Sequence, residues 1–290
     1  MENTGFKKIR LNMSFDNEKN DKLNDGIEDV GKFATINLIR KCNNYNGNKK
    51  DYDCKKCKNR GFFYVADVMY DKEKNTRFWN SKVYICECEK QRQIIARENK
   101  SGLGKYLNWR SKDFIATKQW QQDLKDKVID YCLNHTDDNL WISFWGQNGS
   151  GKTLMASVIA NHFLYNKKRD VKYIEWTNFI SRVKQKMFGD EDDKEEARNE
   201  IDMVKEVDIL FIDEFMRNYK EADLKYIDEI INYRYCNNLK TIITSQYLFK
   251  DVLNVQESSI SRIYEMCEGE NFTIQIPYSQ ENNYRLKGMK

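Results

Sequence analysis

Residues 146–153 read GQNGSGKT, and this octapeptide fits the pattern GxxxxGK[ST] at every fixed position. An apolar run at 140–145 predicts a strand before it, and a helical pattern follows to about residue 166. A strand before the motif and a helix after it distinguish a phosphate-binding loop from a chance glycine-rich turn. The glycines allow backbone N–H groups to converge on phosphate oxygens at the positive end of the helix.

A second motif completes this site. Residues 207–214 read VDILFIDE, an apolar strand that ends in two carboxylates about 60 residues after the glycine-rich loop. Strand ends of this kind lie at the sheet edge where ligands bind. We expect Lys152 to reach the β- and γ-phosphates of ATP, Thr153 and Asp213 to hold Mg²⁺, and Glu214 to polarise the attacking water. The residues expected to contact the nucleotide and its metal are Gly146, Gln147, Asn148, Gly149, Ser150, Gly151, Lys152, Thr153 and Asp213.

Two further residues carry weaker signals. Gln246 ends a predicted strand at 241–245 and would lie near the γ-phosphate, with an ordinary strand end as the alternative. Arg262 could act on the γ-phosphate of a neighbouring subunit as an arginine finger, with an ordinary surface arginine as the alternative. Both are therefore candidate catalytic residues alongside Glu214.

Strands and helices alternate from about residue 113. This rhythm predicts an α/β domain, in which a parallel sheet is flanked by helices. Besides the strands already named, the predicted elements are a strand at 171–176 and helices at 177–187 and 224–235.

Four of the eight cysteines form two close pairs. Cys54 and Cys57 are separated by two residues, Cys86 and Cys88 by one, and 28 residues lie between the pairs. Two such turns can complete a tetrahedral Zn²⁺ site, while the alternative, a redox pair, lacks a thioredoxin-like context. Short strands are expected beside the pairs, at 61–65 and 82–86. The other cysteines are a spare ligand candidate, Cys42, and three expected core thiols, Cys132, Cys236 and Cys267.

Charge is distributed unevenly along the chain. Residues 41–112 hold 18 Lys/Arg against 8 Asp/Glu, a net of +10, whereas residues 113–290 hold 24 against 30, a net of −6. The basic stretch indicates contact with nucleic acid or an acidic partner, or simply a solvated lysine-rich surface.

Four segments are expected. They are a polar and helical N-terminal segment at 1–40, a small zinc-binding α+β module at 41–100, a linker at 101–112 and the ATPase domain at 113–290. The sequence has no apolar run of about 18 residues and no signal-peptide core at its start, so we expect a cytoplasmic protein without a membrane partner.

This combination resembles the bacterial and phage replicative-helicase loaders of the DnaC/DnaI type over roughly residues 42–290. The resemblance rests on the cysteine pairs, the two nucleotide motifs, the stretch IINYRY at 230–235 before the strand at 241–245, Arg262, and Tyr284 with Arg285. It implies an AAA+ domain of the initiator clade and an N-terminal zinc domain that grips the hexameric DnaB-type helicase. It also implies self-association through the ATPase domains and binding of single-stranded DNA. Gln246 stands where these loaders usually carry a sensor Asn, Arg262 stands at the arginine-finger position, and Arg285 matches a terminal arginine.

Two other functions compete with this interpretation. An accessory AAA+ ATPase of a transposition system shares the core, but the zinc module argues against it. A phage-encoded decoy that occupies the host helicase or loader is the second alternative. The intact Lys152, Asp213 and Glu214 argue against a decoy that has lost ATPase activity.

Overall fold

The computed structural model describes residues 28–50, 53–71, 73–74, 76–279 and 282–286. The chain divides into two compact units, Met1–Lys90 and Gln91–Lys290. Positions 1–27 of the expected N-terminal segment lie outside the described residues. The strands are β1 (Glu28–Val30), β2 (Phe62–Asp71), β3 (Thr76–Ile85), β4 (Ile142–Gly146), β5 (Val171–Glu175), β6 (Ile209–Asp213), β7 (Lys240–Thr244) and β8 (Thr273–Ile276). The helices are α1 (Lys32–Asn44), α2 (Glu87–Ser101), α3 (Gln119–Asn134), α4 (Lys152–Asn161), α5 (Trp176–Met187), α6 (Glu191–Glu206), α7 (Leu224–Cys236), α8 (Phe249–Leu253) and α9 (Glu257–Met266).

The first unit is built on a long β-hairpin. β2 and β3 pair antiparallel over their full length, and the short β1 joins β3 in parallel. Helix α1 is fixed to the hairpin by Asn43, whose side chain donates to Tyr64 O at 2.8 Å and accepts from Tyr64 N at 2.9 Å. Strand β1 and helix α1 therefore belong to the same unit as the cysteine pairs, and the boundary that the sequence suggested at residue 40 falls inside α1.

The second unit contains a five-stranded parallel sheet. Its order is β5-β6-β7-β4-β8, so β4 lies between two strands that come much later in the chain. All residues of β4, β6 and β7 are buried. Continuous apolar runs are typical of parallel strands covered on both faces, and this is the α/β class that the sequence predicts.

Helices of this unit pack through apolar stripes. In α5, Trp176, Phe179, Ile180 and Val183 are buried, at the spacing of one helical face. The Glu175 side chain caps this helix by accepting from the N–H groups of its first turn. In the described part of the chain, no helix is both long and apolar enough to cross a membrane.

Residues 101–112 differ from the expected flexible linker. Ser101 and Leu103 are fully buried, and Leu103 belongs to the hydrophobic core of the second unit. The Asn161 amide in α4 donates to Tyr106 O at 2.8 Å and to Trp109 O at 3.1 Å, which holds the segment against the domain. Glycines at 102 and 104 suggested flexibility, but the apolar side chains between and after them pack.

Candidate functional site

The glycine-rich loop connects β4 to α4 at one edge of the sheet. At Gly146, φ is 109° and a Cβ would lie 1.9 Å from Ile276 O in β8, so only glycine fits this position. Gly151 precedes α4 with φ of 96°. Lys152 Nζ donates to Gly146 O at 2.7 Å and to Gln147 O at 2.6 Å, and Ser150 Oγ donates to Gln147 O at 2.8 Å. The carbonyl groups at the start of the loop thus surround the Lys152 ammonium group.

Lys152 is almost completely buried, with 7% of its surface exposed. Burial lowers the pKa of its ammonium group to about 8, against the carboxylates of Asp213 and Glu214, which raise it. A cation held in this way is poised for an anionic ligand, because a phosphate would replace the solvation that burial removes.

Asp213 lies at the end of β6 and accepts hydrogen bonds from three hydroxyl groups. Thr153 Oγ1 donates to Oδ1 at 2.9 Å, Tyr173 OH donates to Oδ2 at 3.1 Å, and Thr244 Oγ1 also donates to Oδ1. Burial raises the pKa of Asp213, and these hydrogen bonds only partly offset the rise. A buried carboxylate beside a threonine hydroxyl is the oxygen ligand set that Mg²⁺ prefers.

Glu214 follows directly, in a strained backbone conformation with φ of 54°. Its N–H donates to Thr244 Oγ1 at 3.1 Å, and the next N–H, of Phe215, donates to Thr244 O at 2.7 Å. Thr244, at the end of β7, therefore fixes the backbone position of Glu214. Its carboxylate forms an ion pair with Arg217.

Lys152, Thr153 and Glu214 line one cavity of about 300 Å³. One wall carries the loop residues, and Glu214, Thr244 and Gln246 form another part of the lining. Asn148 Nδ2 donates to Gln246 Oε1 at 3.2 Å, so the amide of Gln246 reaches the loop. Of the predicted residues, the cavity lining includes Asn148, Gly149, Gly151, Lys152, Thr153, Glu214 and Gln246. Gly146, Gln147 and Ser150 are not in this lining, and Asp213 is hydrogen-bonded to Thr153.

The remainder of the cavity wall carries no sequence motif. Phe114 and Tyr284 meet edge to face with ring centroids 5.8 Å apart, and Tyr284 N donates to Gly149 O at 2.9 Å. Arg285 also lines the cavity, and its charge contributes to lowering the pKa of Lys152 after burial and against the two carboxylates. The sequence singles out Tyr284 and Arg285 without a role, and it gives no sign of Phe114 or Tyr173, because no spacing rule connects these distant positions.

Arg262 is placed elsewhere. It lies in α9, where Nη1 donates to Ser258 O at 2.8 Å and the guanidinium carbon lies 5.6 Å from the centroid of the Tyr235 ring. It is not among the described residues that line the cavity. Any contact between Arg262 and a nucleotide would therefore involve a nucleotide bound to another subunit.

A separate cluster lies in the first unit. The sulfur atoms of Cys54, Cys57, Cys86 and Cys88 lie within 4.8 Å of one another, with Cys54–Cys86 at 3.7 Å and Cys57–Cys88 at 3.4 Å. A tetrahedral site with Zn–S bonds of about 2.3 Å places its sulfurs roughly 3.8 Å apart, so the cluster fits and could hold Zn²⁺. Gly61 N donates to the Cys57 sulfur at 3.3 Å, an outer hydrogen bond that suits a thiolate ligand.

The other cysteines have different surroundings. Cys42 lies outside the cluster, and its carbonyl accepts from Arg60. Cys132 and Cys267 are buried, as expected for core thiols, and burial raises the pKa of each to about 12. The prediction for Cys236 was wrong: it is exposed at the end of α7, on the face opposite the apolar stripe.

Comparison with known proteins agrees with this geometry. Residues 142–232 match the family described as "ATPase family associated with various cellular activities (AAA)". The chain is 25% identical over 252 residues to the phage-like element PBSX protein XkdC of Bacillus subtilis (strain 168), covering 82% of this chain and 88% of that protein. Protein YqaM of the same strain is 22% identical over 267 residues, covering 76% and 81%. The crystal structure of the DnaC helicase loader is similar in fold, with a TM-score of 0.51 and 21% identity over 60% of this chain and 99% of that chain.

Proposed function

We propose that this chain, whose residues 142–232 match the AAA ATPase family, hydrolyses ATP with Mg²⁺ as the switch of a replicative-helicase loader. Lys152 would neutralise phosphate charge, and Thr153 with Asp213 would hold the Mg²⁺ that bridges the phosphates. Glu214 would orient and polarise the attacking water, with Gln246 near the γ-phosphate. The observation that supports hydrolysis best is that Lys152, Thr153 and Glu214 line one cavity, with Asp213 hydrogen-bonded to Thr153.

Two substitutions separate binding from hydrolysis. Lys152→Ala should abolish tight ATP binding, because it removes the cation inside the loop. Glu214→Gln should keep nucleotide affinity within about twofold and lose most turnover, because it changes only the group that acts on water. Isothermal titration with MgATP and a phosphate-release assay measure the two effects. Normal turnover by Glu214→Gln would remove Glu214 from the water-activating role.

The loader role has its own support. A fold similar to the DnaC helicase loader is joined in one chain to a separate unit with a cysteine cluster that fits Zn²⁺. We assign the first unit to the grip on a hexameric DnaB-type helicase and the ATPase domain to self-association and to single-stranded DNA. In this assignment ATP controls assembly on DNA, while the helicase contact is independent of nucleotide.

A loading assay tests this assignment. The full-length protein, the DnaB-type helicase of the same genome and a protein-free single-stranded circle are mixed with ATP, and helicase retained on the circle is measured by unwinding of an annealed oligonucleotide. We expect stable co-purification with helicase and ATP-dependent unwinding. Co-purification combined with suppressed unwinding would instead identify a decoy. Absence of co-purification would reject both.

Binding of single-stranded DNA is tested by salt and nucleotide. Residues 41–112 carry a net charge of +10, although this surface could serve the helicase instead. Phosphate contacts release counterions, so affinity should fall by roughly 0.7 log units per tenfold rise in salt for each phosphate neutralised. Fluorescence anisotropy with an oligo(dT) probe, with ATP and without it, measures this dependence. An affinity for the probe that changes with neither the salt concentration nor ATP would contradict the assignment.

A further inference from the structure

The ion pair between Glu214 and Arg217 lies next to the nucleotide cavity. Arg217 Nη1 contacts Glu214 Oε2, and the backbone closes a tight turn, in which Arg217 N donates to Glu214 O at 3.0 Å. Thr177 Oγ1 at the start of α5 donates to Arg217 O at 3.2 Å and ties the turn to that helix. Hydrogen bonds therefore fix the backbone of Arg217, and its guanidinium contacts the Glu214 carboxylate.

Arg217 pairs with the Glu214 carboxylate on the side of a second cavity. This second cavity, of about 370 Å³, lies beside the nucleotide cavity, and Glu214 lines both. Of these two cavities Arg217 lines the second and not the first, together with Tyr173, Glu175, Thr177 and Asn178 among others. The carboxylate is thus paired on the side away from Lys152 and the loop.

The turn that presents Arg217 is strained. Glu214, Met216 and Asn218 have φ of 54°, 61° and 52°, the left-handed region that is uncommon for residues with a Cβ. Phe215 and Met216 are nevertheless fully buried, which anchors the turn from below. Backbone strain that the surrounding packing maintains is common at functional sites.

We propose that Arg217 restrains Glu214 and thereby sets a low basal turnover in the free subunit. This proposal rests on the proposed role of Glu214 in water activation. Glu214 must leave Arg217 and turn into the nucleotide cavity before it can orient water at the γ-phosphate. Arg217 is a positioning residue, since it lines no part of the cavity that would hold the phosphates.

The restraint is modest in size. The two side chains are 43% and 34% exposed, and Glu175 and Asp213 also line the second cavity, so solvent and other carboxylates weaken the pair. An exposed pair of this kind shifts a two-state equilibrium by roughly two- to fivefold. Arg217→Ala should therefore raise kcat for ATP hydrolysis by roughly two- to fivefold, with KM unchanged.

The test compares steady-state hydrolysis by the full-length wild type, Arg217→Ala, Arg217→Lys and Glu214→Gln. Arg217→Lys keeps the charge and should stay near wild type. Arg182→Ala is the matched control, because it removes another exposed arginine–glutamate pair, with Glu200, that lines neither cavity. The double variant Arg217→Ala/Glu214→Gln should turn over no faster than Glu214→Gln alone.

The outcomes separate the two proposals. A kcat for Arg217→Ala at or below wild type, while Glu214→Gln is inactive, overturns the restraint and leaves the role of Glu214 intact. A fall in kcat with a rise in KM would show that Arg217 contacts phosphate. Wild-type turnover by Glu214→Gln removes the proposed function of Glu214, and the restraint falls with it.

Discussion

Lys152 ties ATP affinity to pH, because burial lowers the pKa of its ammonium group to about 8 in the free protein. A bound triphosphate favours the charged form, so binding above pH 8 must take up a proton, and affinity should fall as pH rises. If only the protonated lysine binds, Kd should rise roughly eightfold from pH 7.5 to pH 9. Isothermal titration with a non-hydrolysable MgATP analogue at several pH values measures this dependence of Kd on pH. Lys152→Arg, which stays charged, should lose this dependence, and a flat profile in the wild type would contradict the prediction.

Single residues show what sequence can and cannot predict. The pairing of Thr153 with Asp213 follows from two motifs whose spacing forces them to the same sheet edge. Tyr173 reaches the same carboxylate at 3.1 Å, yet its strand shows only alternating polarity. The role of such a residue depends on which strands are neighbours, and the order β5-β6-β7-β4-β8 is a property of the whole sheet.

At the scale of elements, Arg234 joins α7 to the sheet. It is fully buried, and its guanidinium donates to Thr241 Oγ1 at 2.9 Å and to carbonyl oxygens of Lys205, Val207 and Lys240 at 2.6–2.9 Å. The arginine in the stretch IINYRY therefore has a structural role, in closing the ends of α6 and β7 against each other. The motif supported the family resemblance without indicating this.

Arg234→Ala should therefore be strongly destabilising. It would leave several buried carbonyl oxygens without a donor, which costs about 3–5 kcal/mol of unfolding free energy. Urea unfolding followed by tryptophan fluorescence measures the loss. Arg262→Ala, which removes a half-exposed arginine from a neighbouring helix, is the comparison and should change stability by less than about 1 kcal/mol. Equal stability of both variants would refute the structural role.

The cysteine cluster is the second element-scale case, because the first unit has a small apolar core. Among its described residues, the buried hydrophobic side chains are Ile39, Cys57, Cys86 and Cys88. A small apolar core is typical of units whose folding free energy comes from a bound metal. Loss of the metal should unfold the first unit without disturbing the ATPase domain, which has its own core.

We therefore expect one zinc per chain in the wild type by elemental analysis. Cys57→Ser should lose the metal and make residues of the first unit sensitive to limited proteolysis, while ATP affinity stays within about twofold. Cys236→Ser, at an exposed position in α7, should match the wild type in both assays. A zinc-free wild type whose first unit resists protease would exclude the metal site.

Elements differ in how well the sequence predicts them. Strand β6 has four apolar residues in succession and β7 has a central Ile-Ile pair, and both strands were predicted within two residues. The hairpin strands β2 and β3 are twice as long as the predicted 61–65 and 82–86, because polar residues such as Asp67 and Asn80 interrupt the pattern on solvent-facing positions. Strand β8 and helices α8 and α9 were not assigned, since they are short and carry mixed sequence.

At the scale of the whole molecule, Arg262 tests self-association. It does not line the nucleotide cavity of its own chain, so we expect any catalytic contribution to come at a neighbouring subunit. Arg262→Ala should bind ATP normally and lose hydrolysis by roughly a thousandfold if it acts as a trans arginine. A mixture with Lys152→Ala should recover part of the activity, because one variant supplies an intact loop and the other an intact arginine. Arg198→Ala, an exposed arginine in α6, should be active alone. If the mixture stays inactive, the two residues do not meet across an interface.

The position of β8 in the sheet determines how late during synthesis on the ribosome the sheet can be completed. β4 cannot gain both of its neighbours until β8 has been made, and β8 ends only at Ile276. The first unit is complete at Lys90, 186 residues earlier (276 − 90). At about 5–20 residues per second, this interval lasts on the order of ten to forty seconds. In a nascent chain the cysteine cluster is therefore complete well before the nucleotide cavity, and a message broken before the codon for Ile276 would encode a chain whose β4 lacks one of its two neighbours.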